Sequence, residues 1–87
     1  MPTPRTGGCA CGAVRYAIAA EPQGTFLCQC RMCQRATGTG HSALLMVPAA
    51  ALTLQGEPRF FDQVADSGHT ISRGFCPTCG SPILSRT

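Results

Sequence analysis

The chain has 87 residues, seven cysteines and a formal net charge of +3. Its positive charges come from seven arginines, and the sequence contains no lysine. A chain of this length forms one domain with a small core, and such a core usually needs disulfides or a metal for stability. It contains no apolar run of the ~18 residues that a membrane-spanning helix needs and no basic stripe typical of nucleic-acid binding, so neither a membrane nor a nucleic acid is an expected partner.

Short strands separated by turns dominate the predicted secondary structure. Alternating or short apolar runs predict strands, in chain order, at residues 14–18, 25–28, 42–47, Leu52–Gln55, 59–62, Thr70–Phe75 and, beginning a last strand, 82–84. Gly, Pro and Asp mark the predicted turns, at residues 21–24, 38–40, 56–58 and 66–68. Helix is limited to one turn within residues 30–37. The pattern predicts a single all-β domain over residues 1–87 with minimal helix.

The seven cysteines form three tight groups: Cys9 and Cys11; Cys28, Cys30 and Cys33; Cys76 and Cys79. Secreted disulfide-rich domains have a signal peptide and usually an even number of cysteines, whereas this N-terminus lacks an apolar segment and the count is odd. Close neighbours cannot easily form a disulfide with each other, but they are typical ligands of tetrahedral Zn²⁺. We therefore predict metal binding and a cytoplasmic location, where thiols stay reduced.

The C-terminal pair lies in the segment CPTCG, which has the composition of a zinc knuckle. Its last residue, Gly80, permits the left-handed conformation that such a turn tends to need. A knuckle supplies two ligands, and Cys9 and Cys11 are candidates for the other two. Closing this loop of about 65 residues costs roughly 4 kcal/mol, far less than the ~10–16 kcal/mol of apparent zinc binding. The alternative is that Cys9 and Cys11 are small buried apolar residues.

The middle group offers three thiolates within six residues, enough to hold a second zinc locally. Three protein ligands leave one position for water or substrate, which is typical of a catalytic site. Two alternatives remain open. A histidine, His41 or His69, closes the site as fourth ligand, or Cys28 and Cys30 join the C-terminal knuckle instead.

Metal loading also removes the basic character of the chain. A zinc site with four thiolates carries a charge of −2 and one with three thiolates a charge of −1, so filling both reduces the net charge of +3 to zero. The positive formal charge is therefore no argument for nucleic-acid binding.

Three segments in order, GGCACGAVRY at 7–16, CQCRMCQRATG at 28–38 and RGFCPTCGS at 73–81, resemble those of the glutathione-dependent formaldehyde-activating enzyme family, which includes the centromere-protein-V relatives. The resemblance implies a β-tent fold, in which small antiparallel sheets are clamped by zinc. It implies a structural zinc on Cys9, Cys11, Cys76 and Cys79 and a second, looser zinc on Cys28, Cys30 and Cys33. Gln29 stands where the family often has His.

The activity implied by this resemblance is the condensation of formaldehyde with glutathione to S-hydroxymethylglutathione by a carbon–sulfur lyase-type protein. The expected partners are formaldehyde and glutathione or another small thiol. The expected catalytic residues are Cys28, Cys30 and Cys33. Arg31 and Arg35 flank them and are candidates for binding the two carboxylates of glutathione. The alternative is that both arginines are solvated surface charges without a ligand. An interpretation between catalysis and no chemistry is that the protein carries the S-hydroxymethylglutathione adduct. A zinc-stabilised interaction module without catalysis is the alternative function.

Members of the resembled family usually continue past the last cysteine pair with further strands, whereas this sequence ends at Thr87. The strand that begins at residues 82–84 is therefore expected to expose an edge. Because of this exposed edge, we expect the protein to form a homodimer.

Overall fold

The computed structural model describes residues 5–87, which contain eight strands, one α-helix and one short 3-10 helix. In chain order these are β1 (Arg5–Gly8), β2 (Arg15–Ile18), β3 (Gly24–Cys28), α1 (Arg31–Thr37), β4 (Ser42–Met46), the 3-10 helix (Ala49–Ala51), β5 (Leu52–Gln55), β6 (Arg59–Val64), β7 (Thr70–Phe75) and β8 (Pro82–Arg86). The predicted all-β class with minimal helix is confirmed.

The strands form three small antiparallel sheets, with the orders β1-β2-β5, β3-β4 and β6-β7-β8. Each cysteine group lies where a strand of one of these sheets ends. The first group lies in the β1–β2 connection, the middle group at the end of β3 and in α1, and the last group in the β7–β8 connection. The sheets thus act as supports for loops that carry thiols.

The structure corrects the predicted elements at three places. Strand β1 was not expected, because its sequence, RTGG, has no apolar alternation; Gly7 pairs with Tyr16, whose ring occupies the space that a side chain at Gly7 would need. Strand β6 extends two residues beyond the predicted 59–62. Helix α1 has seven residues, about two turns rather than one.

Helix α1 covers residues 31–37 of the predicted 30–37, and a cysteine caps its start. The Cys30 side chain accepts a hydrogen bond from the Cys33 backbone N–H, in place of the Ser, Thr, Asp or Asn that usually marks a helix start. At the other end, Gly38 has φ 71° and its N–H donates to the Gln34 carbonyl, which ends the helix.

The core is small and contains the cysteines themselves. The buried apolar residues within 5–87 are Cys9, Val14, Ile18, Cys33 and Cys76, and Ile83 packs against the cluster of Cys9, Val14 and Cys76. A core of this size supplies little hydrophobic stabilisation.

Candidate metal centres

The first candidate centre brings together the two ends of the chain. All four Sγ atoms of Cys9, Cys11, Cys76 and Cys79 lie within 4.8 Å of one another. The Sγ atoms of Cys9 and Cys11 are 3.6 Å apart, and those of Cys11 and Cys76 are 3.7 Å apart. Tetrahedral Zn²⁺ with Zn–S bonds of ~2.3 Å places its sulfurs ~3.8 Å apart, so the cluster has the size that zinc requires.

Hydrogen bonds within the β1–β2 loop aim Cys9 at this cluster. The Cys9 N–H donates to the Val14 carbonyl at 3.0 Å, and the Val14 N–H donates to Cys9 Sγ at 3.3 Å. Gly12, with φ 84°, provides the left-handed residue that lets the loop return.

The β7–β8 loop forms the knuckle predicted from its sequence. The Thr78 N–H donates to Cys76 Sγ at 3.4 Å, and the Gly80 N–H donates to the Cys76 carbonyl at 2.8 Å. Gly80 has φ 77°, as expected for the residue after the second cysteine. Ser81 joins the two loops, because its Oγ accepts from the Ala10 N–H at 3.1 Å and lies 3.1 Å from Cys79 Sγ.

The thiols of the first centre do not ionise alike. Hydrogen bonds from the Ser81 hydroxyl, then from the backbone N–H groups of Ser81 and Cys11, lower the pKa of Cys79 to about 5. The Val14 N–H lowers the pKa of Cys9. For Cys11, the N–H of Ala13 favours the thiolate, but the Cys9 thiol, burial and the other two cysteines outweigh it and raise the pKa to about 11. The Cys79 thiolate thus lies where a divalent cation would bind.

The second candidate centre is built from one local segment. Cys28 ends β3, Cys30 caps α1, and Cys33 lies in its first turn; their three Sγ atoms lie within 4.8 Å of one another. The Sγ atoms of Cys28 and Cys30 are 3.5 Å apart. Cys33 is buried, Cys28 half-buried and Cys30 exposed. The cluster is therefore closed by protein on one side and accessible from solvent on the other.

The Cys33 thiol shapes ionisation in this second cluster. Its hydrogen bond lowers the pKa of Cys28, helped by the N–H and thiol of Cys30 and, more weakly, by the positive charge of Arg73. The pKa of Cys33 itself rises to about 11, because Cys28 and burial both disfavour its thiolate. A cation bound by all three sulfurs would reverse this preference for the thiol form.

Among residues 5–87, no His, Asp or Glu joins either cluster of thiols. His41 is exposed, and its carbonyl accepts hydrogen bonds from the hydroxyls of Thr37 and Thr39. His69 lies exposed in the β6–β7 turn. The structure thus groups the cysteines as four and three, without a histidine and without Cys28 or Cys30 in the first cluster. Cys11 is exposed with its sulfur in the cluster, so it is no core residue.

The two arginines expected to bind carboxylates lie exposed on α1. Arg31 donates from Nη1 to Gln34 Oε1 at 3.2 Å, and Arg35 lies in the last turn of the helix. Arg73, on β7, was not selected from the sequence, although its charge acts on Cys28. The alternation of β7 places residue 73 on the same sheet face as Ile71 and Phe75, but it does not indicate that this face lies near Cys28.

Residues 4–87 match the sequence profile of the family described as Glutathione-dependent formaldehyde-activating enzyme. The chain belongs to this family. The match covers almost the whole chain and confirms the resemblance drawn from the three cysteine-containing segments. Membership in the glutathione-dependent formaldehyde-activating enzyme family links the function to glutathione and formaldehyde. Within the described part of the chain, α1 and the 3-10 helix are both too short to cross a membrane.

Proposed function

We propose that this protein holds two Zn²⁺ ions and, at the second of them, condenses formaldehyde with glutathione or carries the resulting S-hydroxymethylglutathione. Cys9, Cys11, Cys76 and Cys79 hold the structural zinc; Cys28, Cys30 and Cys33 hold the other. One observation carries the proposal: the second cluster has three thiols, one of them exposed, and no other described side chain completes it. Three-ligand sites keep a position for an exogenous group.

The reaction needs no redox partner. The sulfur of the thiol forms a bond to the carbonyl carbon of formaldehyde, the C=O π electrons move to oxygen, and the thiol proton ends on that oxygen. When bound, Zn²⁺ supplies positive charge that favours the thiolate form of the incoming thiol at neutral pH. The three cysteines fix where that thiol approaches, with buried Cys33 behind and exposed Cys30 at the opening. Three thiolates already neutralise the metal, so positioning should contribute more than activation.

Metal content gives the first test. Elemental analysis of purified protein should find two zinc ions per chain, one for each cluster. One zinc per chain would instead favour a module with a single structural metal.

Glutathione binding gives the second test. In an NMR titration of the zinc-loaded protein, glutathione should shift the backbone amides of residues 29–34. S-methylglutathione keeps both carboxylates but has no free thiol, so it should bind markedly more weakly. Unmoved amides at high excess, or equal shifts with both compounds, would contradict docking of the thiol at this centre.

The alternative, an interaction module without catalysis, is favoured by one surface. Phe26 and Leu27 on β3 and Leu45 and Met46 on β4 are about half exposed or more, an unusual concentration of apolar side chains on a two-stranded sheet. If the protein holds fewer than two zinc ions per chain and does not bind glutathione, the interaction module becomes the favoured function.

A cytoplasmic location and a single domain over residues 1–87 are part of the proposal. A homodimer is included as well, because β8 is at the edge of its sheet within the described residues. Light scattering at increasing protein concentration should then show a rise above the monomer mass. A constant monomer mass up to millimolar concentration would remove the dimer from the proposal.

A further inference from the structure

A cleft of about 430 Å³ separates the β6-β7-β8 sheet from the segment formed by α1 and β4. This volume is in the range of ~300–1,000 Å³ typical of small-molecule sites. Residues of both sides line the cleft, among them Thr37, Ser42, Phe61, Arg73 and Ser85. Phe61, Arg73 and Ser85 are register partners across the three strands, so they form one row on the sheet.

The cleft borders the second metal centre. Thr37 ends the helix that carries Cys33, and its hydroxyl donates to the Cys33 carbonyl at 3.0 Å. Ser42 is the register partner of Cys28 and is buried. Two residues of the cleft lining thus contact or pair with two of the three cysteines, although no cysteine lines the cleft itself.

Arg73 is the arginine that lines this cleft, and it is half-buried, unlike the exposed Arg31 and Arg35. Its Nε donates to Gln63 Oε1 at 3.3 Å, which fixes the side chain by its inner nitrogen. Within residues 5–87 the guanidinium forms no ion pair with a carboxylate, and its two terminal nitrogens form no other hydrogen bond. Half-buried charges usually have a partner, so this arginine has capacity for an anionic ligand.

We propose that Arg73 binds a carboxylate of the thiol substrate while the substrate's sulfur lies at Cys28, Cys30 and Cys33. This inference rests on the proposed function and adds the residue that selects a carboxylate-bearing thiol. The two free nitrogens of a guanidinium match a carboxylate in a bidentate arrangement. Phe61, next to Arg73 in the row, offers exposed apolar surface for the carbon chain between the two polar ends.

A purely electrostatic role for Arg73 makes a different prediction. The positive charge favours the Cys28 thiolate, and a role through Cys28 alone would change the affinity for every thiol in the same direction. A carboxylate-binding role affects only ligands that carry a carboxylate. The comparison of two thiols on one variant therefore separates these roles.

The experiment compares glutathione with 2-mercaptoethanol, an uncharged thiol without a carboxylate, by NMR titration of zinc-loaded protein. Arg73→Gln should raise the Kd for glutathione roughly tenfold, as expected for loss of hydrogen bonds between charged groups, and leave the Kd for 2-mercaptoethanol unchanged. Arg59→Gln is the matched control. Arg59 is exposed on β6, and its substitution removes the same charge as Arg73→Gln. This control should leave both affinities unchanged.

Arg73→Lys keeps the charge but loses the planar fork, so it should recover only part of the glutathione affinity. If Arg73→Gln fails to fold, Gln63→Ala decides, because it removes the acceptor that orients Arg73 and should weaken glutathione selectively. If Arg73→Gln lowers the affinity for both thiols equally, or for neither, the inference is overturned. Binding of glutathione by the wild type would still support the proposed function. A wild-type protein that does not bind glutathione would overturn both.

Discussion

At the residue scale, Ser81 connects the two loops that carry the thiols of the first candidate centre. Its hydroxyl oxygen accepts from the Ala10 N–H in the β1–β2 loop and lies 3.1 Å from Cys79 Sγ in the β7–β8 loop. The same contact is the first cause of the low pKa of Cys79. One hydroxyl therefore joins the two loops and favours the thiolate that the metal needs.

We expect Ser81→Ala to weaken the zinc affinity of the first centre by roughly 10- to 100-fold, the usual effect of losing a hydrogen-bond partner of a metal ligand. Zinc transfer to a colorimetric chelator measures this affinity. Ser67→Ala, in the exposed β6–β7 turn, is the control and should retain zinc like the wild type. Equal zinc retention by both variants would show that the Ser81 hydroxyl has no such role.

The ligands themselves should differ in what they stabilise. Cys79→Ala breaks the cluster that joins the two chain ends and should unfold the domain. Cys30→Ala should lose the second zinc but keep the fold, because its cluster lies within one local segment and closes no long loop. Far-UV circular dichroism and metal content on both variants measure the difference, and equal unfolding would contradict this division.

At the scale of elements, strand positions were predictable where turn residues punctuate apolar runs, as at Leu52–Gln55 and Thr70–Phe75. Strand β1 was not, because its two glycines carry no pattern and its place depends on Tyr16 of the neighbouring strand. The range of α1 was predicted to within one residue, because its Cys30 cap and the Gly38 that ends it are both local. Local sequence thus predicts elements whose limits are set locally and misses those set by a partner.

Gly80 allows a test of the knuckle as an element. Gly80→Ala should lower the Tm of the zinc-loaded protein by about 4–8 °C. An alanine in the left-handed conformation costs ~1 kcal/mol of stability, and in a domain of this size that loss corresponds to such a shift in Tm. The neighbourhood is open, with nothing within 4 Å of an added Cβ, so the effect reports conformation alone. Gly40→Ala is the control, since Gly40 has equal space and no positive φ, and it should not lower the Tm.

At the scale of the whole molecule, the first cysteine cluster joins two of the three sheets, because its thiols come from the β1–β2 and β7–β8 connections. Within residues 5–87, the one ion pair joins Arg5 to Glu21 at 3.3 Å on the surface, where such pairs contribute little. Three of the five buried apolar residues are cysteines of the two clusters. Their spacing in the sequence predicted that the cysteines group as four and three. The position of Arg73 beside the second cluster was not predictable, because it follows from how separate sheets pack.

Stepwise removal of metal should therefore have two distinct effects on the fold. The second centre has three thiols with Cys30 exposed, whereas the first has four with Cys9 and Cys76 buried, so a chelator should extract the second zinc first. We expect the dispersed amide spectrum to persist after that first loss and to collapse when the remaining zinc leaves, because apparent binding energies of ~10–16 kcal/mol exceed what this core supplies.

The chelator titration is followed by NMR together with metal content of the recovered protein. Cys30→Ala is the matched variant, because it should start with one zinc and show only the second step, unfolding as that zinc leaves. Collapse of the wild-type spectrum at the first zinc lost would mean that the second centre also supports the fold. A dispersed spectrum in the fully metal-free chain would show that the sheets pack without metal, contrary to the small core described above.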